Sequence, residues 1–134
     1  MKLTAALVLG VTLIGAANAT FASDDKHGYS FTIKPKHENN YSGERYRQTQ
    51  NTNNKWKVAL ETSGEGKGTI TTFWLDKADT GRVSNTVDAK QGAGAYYREA
   101  FSAANQSYVR LGAENNNYST KGYTATGYWD EETN

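Results

Sequence analysis

The chain has no cysteine, one proline, one methionine and two histidines among 134 residues. Without cysteine there is no disulfide, no thioether-linked haem and no thiolate metal site. A small domain of this kind must hold itself with an apolar core and backbone hydrogen bonds alone. His27 and His37 stand at no known metal spacing, and zinc or copper would need Asp24 or Glu38 as well. Asp76, Asp79 and Asp88 lack the regular oxygen spacing of a calcium loop. The expectation is therefore no metal and no cofactor. Catalytic signatures are also missing. No G-x-S-x-G elbow occurs, and the SGEGKG stretch at 63–68 lacks the full glycine-rich run ending in GK[ST]. Glu61, Glu65, Glu99 and Glu114 could in principle supply a glycosidase pair, but nothing in their spacing sets two across a cleft. The chain reads as a non-enzyme, with a small hydrolase acting on a wall polymer as an alternative.

Charge of one sign is missing too. Fifteen Lys and Arg oppose fourteen Asp and Glu, a balance that does not favour nucleic acid as a partner. Long apolar runs are confined to the start. Met1-Lys2 is followed by a nearly unbroken apolar stretch from Leu3 to Ala17 and then by small residues. That is the pattern of a secretory signal peptide over residues 1–22, with cleavage after Ala22 or after Ala19. The stretch is short for a membrane span, so no stable membrane insertion is expected after cleavage. The expected location is extracellular, either free or attached to the cell wall.

What the remainder does have is alternation. Side chains leave a strand on opposite faces at successive residues, and this period recurs from Tyr29 to Trp129. Residues 55–61 and 70–76 carry the strongest signal. Trp56, Val58 and Leu60 share one face of the first run. In the second, Ile70, Thr72 and Trp74 oppose Thr71, Phe73 and Leu75, which marks a strand covered on both sides. Three glycines lie between the runs, so the pair reads as a β-hairpin with a long turn. Further strands are expected over 29–34, 43–50, 82–88, 106–112 and 121–129. Residues 95–102 fit either a strand or a short helix. Pro35 marks the end of the first strand or an edge, and Arg45, Arg47 and Thr49 give the second a polar, edge-like face. The expected fold is all-β: a small antiparallel β-sandwich, or a partly closed barrel, of seven to eight short strands. Residues 29–129 form the single domain, with a flexible arm at 23–28 and an acidic flexible tail at 130–134.

Three tryptophans and nine tyrosines are many for this length. Exposed rings flanked by hydrogen-bonding side chains bind sugars, and Tyr97, Tyr108, Tyr123 and Tyr128 are candidates for such a platform. The same rings could instead pack across strands with their hydroxyls in water. Arg45 and Arg47, two positions apart on one face, could clamp a phosphate or carboxylate, or could lie on a solvated strand face with weak ion pairs.

The segments YSFTIKP (29–35), GERYRQTQNTNNKWKV (43–58) and FWL (73–75), behind a signal-like leader, resemble an uncharacterised family of small secreted proteins of Gram-positive, Bacillus-like bacteria. The resemblance implies an extracellular protein of bacterial origin and transfers no catalytic residue, cofactor or partner. Size and aromatic content are also similar to small secreted β-sandwich bacteriocins, although their motifs do not stand here. The functional expectation is a binding or interaction protein whose partner is a cell-wall polymer or another extracellular protein. A bacteriocin-like antimicrobial or toxin-like protein is the alternative.

Overall fold

A strand with one apolar face must bury it against a second layer, and this chain builds that second layer from its own sequence. The structure is a computed structural model that describes residues 24–51 and 53–133. The expected leader and its cleavage points lie outside these residues. Nine strands form among them: β1 (His27–Ile33), β2 (Asn40–Arg47), β3 (Trp56–Ser63), β4 (Ile70–Lys77), β5 (Gly81–Arg82), β6 (Val87–Lys90), β7 (Ala95–Arg98), β8 (Ser107–Asn115) and β9 (Tyr123–Asp130). One sheet has the order β1-β9-β3-β7. The other runs β2-β8-β4-β5, with β6 also paired to β4. All pairings are antiparallel. The two sheets of four and five strands do not close into a barrel, so the sandwich form of the expectation holds. The described residues contain no helix long and apolar enough to cross a membrane.

Phe31, Ile33, Trp56, Val58, Leu60, Tyr123, Ala125 and Trp129 face inward from the four-stranded sheet. Phe73, Leu75, Val87, Ala89, Val109, Leu111 and Ala113 meet them from the other. In both sets the inward residues stand two apart, as the alternation requires. Buried hydroxyls in this layer find partners. Tyr29 Oη donates to the Ala59 carbonyl at 2.7 Å, and Tyr123 Oη pairs with Thr71 Oγ1 at 2.6 Å.

The expected hairpin over 55–76 is not formed. β3 lies in the four-stranded sheet and β4 in the five-stranded one, so residues 64–69 carry the chain from one layer to the other. Stacked sheets lie about 10 Å apart, a gap that six residues cross easily. Gly66 and Gly68 adopt φ of 114° and 73° there, which is where glycine is needed. Alternation identifies each strand but does not name its partner. The two runs instead stand in different layers, and β4 is buried from Thr71 to Asp76.

Three smaller differences follow. The expected strand at 82–88 divides into β5 and β6 around Ser84, whose hydroxyl accepts the Leu75 N–H at 2.8 Å. Residues 95–102 resolve into β7, followed by a single 3-10 turn at Ser102–Ala104. The acidic end does not fray. Asp130, Glu131, Glu132 and Thr133 are all buried, because Arg45, Arg47 and several backbone N–H groups receive their oxygens. At the other end, the strand already begins at His27, and the Asp25 N–H bonds Asp130 Oδ2 at 2.6 Å.

Candidate functional site

The outer face of the five-stranded sheet carries aromatic and charged side chains in register. Tyr41 stands opposite Gly112, Glu44 opposite Arg110 and Tyr46 opposite Tyr108. A bulge between Tyr41 and Glu44 makes this possible. An extra residue in one strand shifts the alternation, so Tyr41 and Tyr46, five apart, emerge on the same side. On β4, Trp74 lies across Gly112, where a Cβ would stand 2.3 Å from the indole. The absence of a side chain on Gly112 lets the ring lie against the sheet. Arg82 covers the indole at 4.2 Å, Tyr41 meets it edge-on at 6.3 Å, and Arg110 stacks on Tyr41 at 3.7 Å. Each arginine is held by a carboxylate at 2.9 Å, Arg110 by Asp76 and Arg82 by Glu114. Stacking and ion pairing together fix these guanidinium planes.

What this face leaves open is tyrosine. Tyr46 and Tyr108 meet at 5.0 Å in a tilted, near-perpendicular pair and are 41% and 61% exposed. Beside them lies a groove of about 450 Å³, lined by Glu44, Tyr46, Lys77, Asp79, Ser107 and Tyr108 among others. Tyr41 is exposed as well. It stands four residues along the sheet from the pair, about 13 Å at strand rise.

The opposite outer face has a smaller cluster. Lys57 is buried there between the rings of Tyr97 and Tyr128, and its ammonium contacts the Asp24 carboxylate. Tyr97 Oη donates to the other Asp24 oxygen at 2.9 Å. Burial opposes the charge on Lys57, but Asp24 prevails and holds the ammonium above its usual range. Lys57 in turn holds Asp24 below the usual carboxylate range.

The six residues singled out from the sequence are therefore not brought together. Tyr108 lies on the aromatic face just described. Tyr97 and Tyr128 lie on the far side of the molecule, against Lys57. Tyr123 is in the core. Arg47 is fully buried, and the expectation that it faces solvent is corrected. Its guanidinium donates to the backbone carbonyls of Glu131 and Asn54 and to Asn105 Oδ1. Arg45, half-exposed at the same edge, donates through Nε to Glu131 Oε1 at 2.6 Å. Both arginines do meet carboxyl or carbonyl oxygens, but those oxygens belong to the chain itself, and both reach Glu131. Glu132 completes the lock by accepting the N–H groups of Gln48 and Thr49. Burial pushes the Asp130 carboxyl up to about 7 against hydrogen bonds from Asp25 and Glu132 that pull it down.

Sequence reasoning missed Tyr41 and Tyr46 as surface rings. The signal lay in Ser42-Gly43, a polar pair with a glycine inside a strand pattern, which marks a bulge. Comparison with curated proteins finds no match, and comparison with solved structures finds none either. A family model does match, over residues 15–133, and its description is a protein of unknown function (DUF2712). With nearly the whole chain matched, including every strand described above, the protein belongs to the DUF2712 family.

Proposed function

We propose that this protein is an extracellular, non-enzymatic binding module that grips a carbohydrate polymer on the outer face of its five-stranded sheet. The observation that carries the reading is the Tyr46–Tyr108 pair, exposed in contact with each other and bordering a groove. Exposed aromatic rings in a contiguous patch lose water favourably when an apolar surface covers them. The C–H face of a sugar ring is such a surface, and its hydroxyls can bond groups at the rim. Glu44, Lys77, Asp79 and Ser107 supply that rim. Tyr41, about 13 Å along the sheet, provides a second contact for an extended chain. The signal-like leader read from the sequence supports an extracellular setting.

The test is retention of the purified protein on insoluble cell-wall material and on defined polysaccharides, beside a teichoic-acid resin. The wild type should be retained on at least one neutral glycan. Tyr108→Ala should reduce retention about tenfold or more while leaving the circular dichroism spectrum and melting temperature unchanged, since Tyr108 is exposed. Retention on no carbohydrate, or full retention by Tyr108→Ala and Tyr46→Ala alike, overturns the reading.

A further inference from the structure

We propose that Asp25, His27 and Asp130, with Glu131 as a fourth and weaker donor, form a binding site for a borderline divalent cation of the zinc class. The inference is independent of the polymer-binding reading and concerns a different part of the molecule. One donor atom from each of Asp25, His27 and Asp130 lies within 4.8 Å of the others. His27 Nε2 is 3.8 Å from Asp130 Oδ1 and 3.9 Å from Glu131 Oε1. That nitrogen is buried and has no hydrogen-bond partner.

An imidazole nitrogen in this position has two states. As a bare lone pair it faces carboxylate oxygens, and like meets like. As an N–H it faces oxygens at a separation beyond hydrogen-bond range. Neither state satisfies the nitrogen. A cation placed among the donors satisfies all of them. The His27–Asp130 separation is 3.8 Å and all three lie within 4.8 Å; three atoms so spaced have a common centre about 2.2–2.8 Å from each, and the short end of that range matches zinc–nitrogen and zinc–carboxylate distances. Mixed nitrogen and oxygen donors favour zinc-like ions over calcium or magnesium, which prefer oxygen alone.

The charges around the site are mixed. Asp24, Asp25, Glu131 and Glu132 supply negative charge. Arg45 is engaged by Glu131, and Lys57 by Asp24. Arg47 is bonded to backbone and Asn105 oxygens. The engaged Glu131 is for that reason the weaker donor. His27 also lines a groove of about 460 Å³ between the edge strands β1 and β2. Bound, it would join the residues before β1 to the end of β9. Such a site is invisible in the sequence, because its donors come from opposite ends of the chain.

The experiment uses the full-length chain, freed of metal with a chelator and titrated with zinc chloride by calorimetry. One zinc per chain is expected, with a rise in melting temperature of about 4 °C or more at saturation. His27→Gln should weaken binding about tenfold or more, with its metal-free melting temperature close to wild type. His37→Gln should bind as the wild type does. In the wild type, zinc should also shift the His27 ring resonances, a readout that survives if the variant folds poorly. No saturable uptake, uptake undiminished in a folded His27→Gln, unmoved His27 resonances, or binding of calcium in preference to zinc would each overturn the assignment.

Discussion

Replacing Arg47 with alanine should unlock the end of the chain. The guanidinium is fully buried and donates to three oxygens: the carbonyls of Glu131 and Asn54 and the side chain of Asn105. Burial pulls its pKa down, and Glu132, Glu131 and Asp130 push it back up, so its charge is balanced by the carboxylates of the acidic end. Removing one member of a buried, hydrogen-bonded charge cluster costs about 3–5 kcal/mol, because the partners stay behind without compensation. Three charge-assisted hydrogen bonds at about 1.5–3 kcal/mol each, less the regained hydration, give a similar figure. A domain of this size has about 5–15 kcal/mol in total. The melting temperature should therefore fall by roughly 12–20 °C. Arg47→Lys should recover little, since an ammonium cannot span three oxygens set around a planar fork. Urea unfolding followed by tryptophan fluorescence measures the loss. Deleting residues 131–134 is the second arm of the cycle. If the arginine acts by holding those residues, the double variant should lose clearly less than the sum of the two losses. A loss below about 1 kcal/mol for Arg47→Ala, or strict additivity with the deletion, would refute the lock.

Other predictions rest on single contacts. Gly112→Val places carbon inside the Trp74 indole, 2.3 Å from its nearest atom at Cβ alone, and should cost about 1–3 kcal/mol by overpacking; Trp74→Leu in the same chain should recover part of it in urea melts. Tyr29→Phe leaves the buried Ala59 carbonyl without its 2.7 Å donor and should cost about 1–2 kcal/mol, read from the unfolding midpoint. With chelator present, Asp130 sets a pH dependence. Its carboxyl holds a proton up to about 7 when folded but only to the ordinary aspartate range when unfolded, so the folded state binds more protons between those values. The Asp130 contribution is thus a penalty that grows as pH rises through that window and is absent below it. Wild-type stability relative to Asp130→Asn should fall by roughly 2–4 kcal/mol from pH 4 to pH 7.5; a flat difference would show that Asp130 ionises normally in the folded chain.

Much of this fold was legible because core burial forces a period of two. Phe73 and Leu75 inward with Trp74 outward, and Val109 and Leu111 inward with Tyr108 and Arg110 outward, follow from it; the stop before Pro35 follows from the proline's missing N–H. Pairing was not legible. The runs around Trp56 and Trp74 look like two arms of a hairpin, and only their placement in different sheets shows otherwise. The end of the chain was misread for a different reason. Asp130-Glu131-Glu132 is polar by composition, and composition does not reveal that Arg45, Arg47 and the Gln48 and Thr49 amides wait to receive those oxygens. The aromatic face was half legible. Tyr108 follows simple alternation, whereas Tyr41 and Tyr46 share its side only because a bulge intervenes.

The ion pairs on the five-stranded sheet bear on what could bind there. Arg82 and Arg110 are the two guanidinium groups on that face, and each is already neutralised by a carboxylate, Glu114 and Asp76. Each also lies flat on a ring, Trp74 or Tyr41, so freeing it for a phosphate would break a stack and an ion pair together. The exposed rings need no such rearrangement. Tyr46 and Tyr108 support each other, and Tyr41 is braced from beneath by Trp74 and flanked by Arg110. A surface whose guanidinium groups are satisfied internally and whose open rings are tyrosines favours ring faces over anions. Retention on carbohydrate should then persist from low salt to about 1 M sodium chloride, where the Debye length is near 3 Å and steering of a polyanion is lost. Elution by moderate salt would mean that the cations, and not the tyrosines, do the holding, and it would turn the reading toward an anionic wall polymer.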